Sequence, residues 1–188
     1  MTYSILKRPK ISFGAYALMS IREQDMENIR QWRNAQLDIL RQREPISLQQ
    51  QQRYWSEVVA PSFDEQQPSM ILVSFMHEDA CIGYGGLVHI DWPVKRAEVS
   101  FLLDPAHTAD EEMYKREFGI FLELLKELAF KDLGFNRLFT ETFDIRPFHV
   151  AVLEKHGFVQ KDRLRKQVNI QGRMVDSLLH ECSKKDYA

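Results

Sequence analysis

Apolar positions alternate with polar ones along parts of this chain and recur every three or four residues along others. The first pattern predicts strands and the second helices. Arg96 to Phe130 carries both. In Arg96–Leu103, Val99, Phe101 and Leu103 fall on one face, and Glu98, Ser100 and Leu102 on the other. Phe118, Phe121, Leu122, Leu125 and Ala129 then fall at helical spacing. A strand that enters a helix through a loop can build an anion site at the helix N-terminus.

The remaining elements follow the same logic. Tyr16 to Arg22 predicts a strand. Asp25 sits at an N-cap position before Met26, Ile29 and Trp32, which form a helical stripe. Ser47 and Gln50 have capping-box spacing, and Leu48, Trp55, Val58 and Val59 make the stripe of the helix they open. The glutamine run Gln49–Gln52 is expected to be a solvated face of that helix. Met70 to Met76 is a run apolar enough to be buried on both faces. Cys81 to Ile90 is the next strand, and its Gly83, Gly85 and Gly86 predict a bulge or a close approach of backbone or ligand. Gly134 is placed to end the long helix, and Leu138 to Phe143 predicts a strand. Pro147 opens a short helix that stops at Gly157, and Phe158 begins a further strand. Leu164–Ile170 and Met174–Glu181 predict a hairpin across Gln171-Gly172. The order describes an α/β or α+β domain spanning residues 1–188, with a central mixed sheet and helices on both faces.

Composition narrows the function. The 188 residues are 44% hydrophobic and 28% charged with a formal net charge of −2, so no basic field invites nucleic acid. No apolar run has the length of a membrane span, and the first residues have no signal-peptide core. A cytoplasmic protein is the expectation. Cys81 and Cys182 lie far apart in apolar segments and are expected to be buried free thiols. His149 and His156 are two helical turns apart without a third ligand, so no metal site is expected.

AEVSFLLDP before a long helix ending ELAFKDLGFNRL, then LEKHGF (Leu153–Phe158), then Arg165-x-x-x-Asn169-Ile-Gln-Gly-Arg-Met-Val-Asp, together resemble the GNAT N-acetyltransferase superfamily from Tyr16 to Glu181. The closing hairpin is similar to that of enzymes acetylating protein N-termini and the amino groups of small antibiotics or sugars. Trp32-Arg33-Asn34, the ISLQQQ helix, and Ile90-Asp91-Trp92 followed by Lys95-Arg96-Ala97-Glu98 look more like enzymes acetylating nucleotide-linked amino sugars.

The resemblance implies a mostly antiparallel sheet with a V-shaped splay between the fourth and fifth strands, Arg96–Leu103 and Leu138–Phe143. It implies acetyl-CoA as co-substrate, pantetheine along the backbone of Phe101, Leu102 and Leu103, and pyrophosphate at the start of the following helix. An acceptor amine then attacks the thioester directly. The family's glycine-rich pyrophosphate motif has no clean copy here; Arg116 to Phe121, which keeps the Arg and the first glycine (Gly119) and has Phe at the last position, is its nearest match. Arg146 stands where an asparagine often contacts the cofactor, and Leu153 where a tyrosine often protonates the thiolate, leaving Tyr114 or water for that role.

Glu98 is the first choice for the base, ahead of Glu141 and His89. Trp32, Arg33 and Trp92 are candidates for the acceptor pocket. The acceptor is expected to be a small-molecule amine or a protein N-terminus. The alternative is a GNAT-fold binding module without acetyl-CoA. The open edges of the last hairpin leave room for a homodimer.

Overall fold

The computed structural model describes residues 1–170 and 172–187. Its elements are β1 (Lys10–Phe13), β2 (Tyr16–Ser20), α1 (Met26–Ala35), α2 (Leu48–Tyr54), α3 (Ala60–Ser62), β3 (Ile71–His77), β4 (Ala80–Asp91), β5 (Arg96–Leu103), α4 (Glu111–Lys126), β6 (Arg137–Phe143), α5 (Pro147–Lys155), β7 (Val159–Ile170) and β8 (Arg173–Ser183). The eight strands form one sheet in the order β1-β2-β3-β4-β5-β6-β8-β7. Each neighbouring pair is antiparallel except β5 and β6, which run parallel.

Helices cover both faces. On one, Ser74 of β3 meets the start of α1, and Arg33 of α1 reaches the Tyr84 hydroxyl of β4. On the other, Phe121 of α4 packs edge-on against Phe75 of β3 and tilts against Phe101 of β5. The β3 run is buried from Ile71 through Met76, as a central strand with both faces covered requires.

Several local expectations change. β1 is an additional strand: only Ile11 of its four residues is buried, so its alternation is too short to stand out. The splaying strands are therefore the fifth and sixth. Asp25 is not a helix cap. Its carboxylate accepts two hydrogen bonds of 2.7 Å from Arg22 and one of 2.6 Å from the Ser74 hydroxyl, tying the start of α1 to β3. The Ser47–Gln50 capping box is present in both directions. In the helix it opens, Trp55 and Val59 are buried. Leu48, at its first position, is exposed, as is Val58 within the wider π-turn at Trp55–Val59. Gln51 is buried and donates to the Met26 carbonyl at 3.0 Å, while Gln49, Gln50 and Gln52 face solvent.

Gly83 and Gly85 are explained by the neighbouring backbone, not by a ligand. A Cβ on Gly85 would lie 2.1 Å from the Ser100 carbonyl oxygen and 2.8 Å from the Phe121 ring. β4 thus lies closely on β5 and leaves room for the α4 aromatics above it. Val159–Ile170 is one edge strand, with two register breaks against β8 and charged side chains along much of its length. Such an edge resists further pairing. Gln171 of the expected turn lies outside the described residues; Gly172 beside it takes a left-handed φ of 83°. Both cysteines are free; Cys182 is buried and Cys81 half-buried.

Gly85→Ala is expected to destabilise the protein by about 3 kcal/mol, because backbone and aromatic neighbours must both move. Ser47→Ala, which removes a cap alone, is expected to cost about 1 kcal/mol. Urea unfolding of the two variants checks the order.

Candidate active site

β5 and β6 pair only over Arg96–Glu98 against Arg137–Phe139. Beyond that they part. β5 remains paired to β4 through Val99–Leu103, and β6 to β8 through Phe143. The edges of β5 and β6 that face each other are therefore left open. A cleft of about 310 Å³ runs through the gap, lined from both faces of the sheet. Its floor is a column of rings from three elements. Phe101 of β5 stacks on Phe118 of α4 at 4.4 Å, and Phe118 stacks on His149 of α5 at 4.3 Å. On the β6 wall, the buried Thr140 hydroxyl has no hydrogen-bond partner among the described residues.

At the mouth, one cation joins two carboxylates. Arg41 Nη2 donates to Glu98 Oε1 at 2.8 Å and to Glu141 Oε2 at 3.1 Å. His89 Nε2 stands 3.7 Å from the other Glu98 oxygen, on an exposed ring with a left-handed φ of 48° where β4 slips register against β5. Arg41 is half-exposed, so this pairing is cheap to open. Arg33 also borders the cleft and donates to Gln42 at 2.8 Å.

Deeper in, Tyr114 is buried in the first turns of α4. Its hydroxyl lies 2.7 Å from His149 Nδ1 and 3.3 Å from Arg146 Nη1. Burial pushes the Tyr114 phenol up to about 12, with the Arg146 charge opposing. Burial also holds His149 well below the ordinary imidazole range, helped by the charges of Arg146 and His180. His180, opposite Thr140 on β8, is likewise depressed by burial, against a smaller upward pull from Glu154. Neither ring nitrogen of His180 has a partner among the described residues.

The start of α4 differs from the expected anion site. Asp110 accepts from the Met113 N–H at 2.9 Å, and Asp104 accepts from Ala106 in the turn before it. His107 Nδ1 lies 2.9 Å from Glu117 Oε2, pinning that turn to the helix. The acidic residues thus satisfy the loop's own backbone, and a carboxylate already occupies the helix end. Arg116 and Gly119 lie farther along α4. Gly119 is bare because the His156 ring fills its Cβ space at 2.6 Å. Arg116 is exposed beside it, over a hollow reaching Phe13 and Lys155. Neither borders the cleft between β5 and β6.

The structure brings Glu98, Glu141, His89, Arg33, Phe101 and Arg146 to one cleft. Leu102 and Leu103 continue the open edge of β5 but turn buried side chains elsewhere. Trp32 is core, and Trp92 bonds the Pro68 carbonyl at 2.9 Å, away from the cleft. Sequence reasoning missed Arg41, Thr140, His149 and His180. His149 carried a faint signal: a lone polar residue one turn before Leu153 on an apolar helix face. Arg41, in an irregular loop, carried none. Among the described residues no cluster suits a metal ion, and no helix is long and apolar enough to cross a membrane.

A family model described as acetyltransferase (GNAT) domain matches residues 18–179. The chain belongs to the GNAT acetyltransferase family. It is an N-acetyltransferase with acetyl-CoA as co-substrate, and its mixed, mostly antiparallel sheet is the GNAT fold. Among solved structures it is similar to the spermidine N-acetyltransferase from Vibrio cholerae in complex with CoA and spermine. The TM-score is 0.78 at 16% identity, over 92% of this chain and 98% of that one. The dodecameric form of the Vibrio cholerae enzyme in an intermediate state gives a TM-score of 0.75 at 17% identity, over 92% and 96% of the two chains. A search of curated protein sequences returns no match. The open strand edge and the unpartnered Thr140 hydroxyl suit the extended polar arm of an acyl-CoA. Residues 104–118, which lead into and open α4 of this GNAT chain, contain no glycine.

Burial lowers the proton affinity of both histidines in the fold, so the unfolded state binds more protons below about pH 6.5. Stability is expected to fall as the pH drops from there, by up to about 1.4 kcal/mol per pH unit for each histidine. His149→Phe should reduce that slope between pH 6.5 and 5 in urea unfolding, and an unchanged slope would contradict the assignment.

Proposed function

We propose that this enzyme acetylates a primary amine on a small molecule that also carries an anion, and that nucleotide-linked amino sugars are the acceptor class. The observation that carries the reading is the charge around the cleft. Two carboxylates, Glu98 and Glu141, stand at its mouth, and two arginines, Arg33 and Arg41, line the same space. A carboxylate pair suits an ammonium; the arginines suit phosphate or another anion on the same molecule.

Acetyl-CoA, when bound, supplies an activated thioester. The chain's own residues do the rest. The open edge of β5 from Phe101 to Leu103 offers backbone groups to an extended arm, and Arg146 offers a cation. Glu98 takes the proton from the acceptor ammonium; it is nearly buried on the parallel-paired end of the cleft, beside the strand edge. Holding amine and thioester in one narrow gap supplies the proximity that direct attack needs. Arg41 then becomes the gate to the carboxylates: it leaves Glu98 and Glu141 when an ammonium arrives, and its freed guanidinium faces the acceptor's anion.

A second reading is a polyamine acceptor. The Glu98–Glu141 pair favours it, because each carboxylate can hold one ammonium, and the similar Vibrio cholerae structure is described with spermine. The arginines count against it. A protein N-terminus is the third class. Self-association through β7 is disfavoured by its register breaks and charges.

Thiol release from acetyl-CoA, measured with amino-sugar nucleotides, spermidine and N-terminal peptides, separates the three. Turnover confined to spermidine or to peptides would overturn the sugar assignment. Glu98→Gln is expected to lower kcat/KM for the amine about 100-fold while acetyl-CoA affinity is retained. Arg41→Ala is expected to lower turnover of an anionic amine and raise that of spermidine, and equal effects on both would remove Arg41 from the gate.

A further inference from the structure

The tautomer of His149 follows from its neighbours. A guanidinium can only donate, so the Tyr114 oxygen accepts from Arg146 Nη1 at 3.3 Å. Among the described residues His149 Nδ1, at 2.7 Å, is the acceptor within reach of the Tyr114 proton, so that proton is satisfied only when it points there. Nδ1 is therefore an acceptor, and the ring carries its proton on Nε2. Nε2 makes no hydrogen bond to any described residue. The ring borders the cleft between β5 and β6 and is clamped against Phe118 with planes 13° apart. A positioned N–H donor therefore stands unused at the wall of the acyl-donor gap. Leu153, one turn along α5, is fully buried and has nothing to donate.

Direct attack forms the C–N bond and breaks the C–S bond, and the electron pair of the broken bond leaves on sulfur. We propose that the Nε2–H of His149 donates a hydrogen bond to that sulfur as it becomes a thiolate, in a tautomer fixed by Tyr114 and Arg146. The histidine keeps its proton. The ammonium proton has already gone to the base, the nitrogen releases a second proton to solvent as the amide forms, and the thiolate is protonated from solvent afterwards. Neutrality suits this role. Burial and the charges of Arg146 and His180 keep the ring uncharged, yet a neutral ring with a fixed tautomer still donates. Tyr114 and Arg146 act through His149 and are positioning residues.

The inference rests on the cleft being the acyl-CoA site and is independent of the acceptor's identity. The test follows the ultraviolet thiolate band of CoA bound to the whole protein as pH is raised, in wild type, His149→Phe and His149→Gln. The bound thiol is expected to ionise about tenfold more readily in wild type than in His149→Phe, with His149→Gln, which keeps a donor, between them. Equal midpoints in all three overturn the proposal while leaving the donor site standing. Failure of wild type to bind CoA overturns both. If His149→Phe does not fold, Tyr114→Phe carries the test: it releases the tautomer and should raise the midpoint, and an unchanged midpoint overturns the proposal. With any accepted amine, His149→Phe should lower kcat about 100-fold with little change in KM for acetyl-CoA.

Discussion

The pairing of β5 with β6 and its interruption set the terms for the rest of the structure. Ala97 and Leu138, both fully buried, sit opposite each other in a short parallel ladder that ends one residue later. Past that point each strand is held by its other neighbour: β5 by a glycine-lined β4, and β6 by β8. The Phe101–Phe118–His149 column fills the space beneath the gap, so the strands cannot close without expelling well-packed rings. The result is a pair of open backbone edges inside a folded protein, which is ordinarily costly. A ligand with its own amide groups is the natural complement.

The chemistry is layered along this gap. Carboxylates and a movable arginine stand at the mouth, an unpartnered threonine sits on the wall, and a histidine kept neutral by burial lies on the floor, backed by Tyr114. Water-exposed groups near the mouth can exchange partners easily, whereas the buried pair is fixed. Binding selectivity therefore belongs to the mouth, and stabilisation of developing charge belongs to the floor.

Much of this was legible in the sequence. The Arg96–Leu103 alternation, the apolar β3 run, the capping box at Ser47 and the long α4 stripe all act through local rules, and they fix strands, helices and their order. Glu98, Phe101 and Arg146 could be placed because they lie on those elements or at their ends. Arg41 could not, since it comes from an irregular loop and meets its partners 57 and 100 positions away. Asp25 does not cap because its carboxylate is taken by Arg22, three residues earlier, and by Ser74, 49 residues away. Arg116 and Gly119 matched a spacing, but helix packing against His156 accounts for the glycine. His149 needed Tyr114 and Arg146 beside it before its role could be argued.

Hydrogen exchange with and without acetyl-CoA tests the central claim most directly. New protection is expected at backbone amides on the diverging halves of β5 and β6, residues 99–103 and 140–143, with little change around Arg116 and Gly119. Protection confined to the α4–α5 hollow, or absent from the diverging strands at saturating acetyl-CoA, would contradict it.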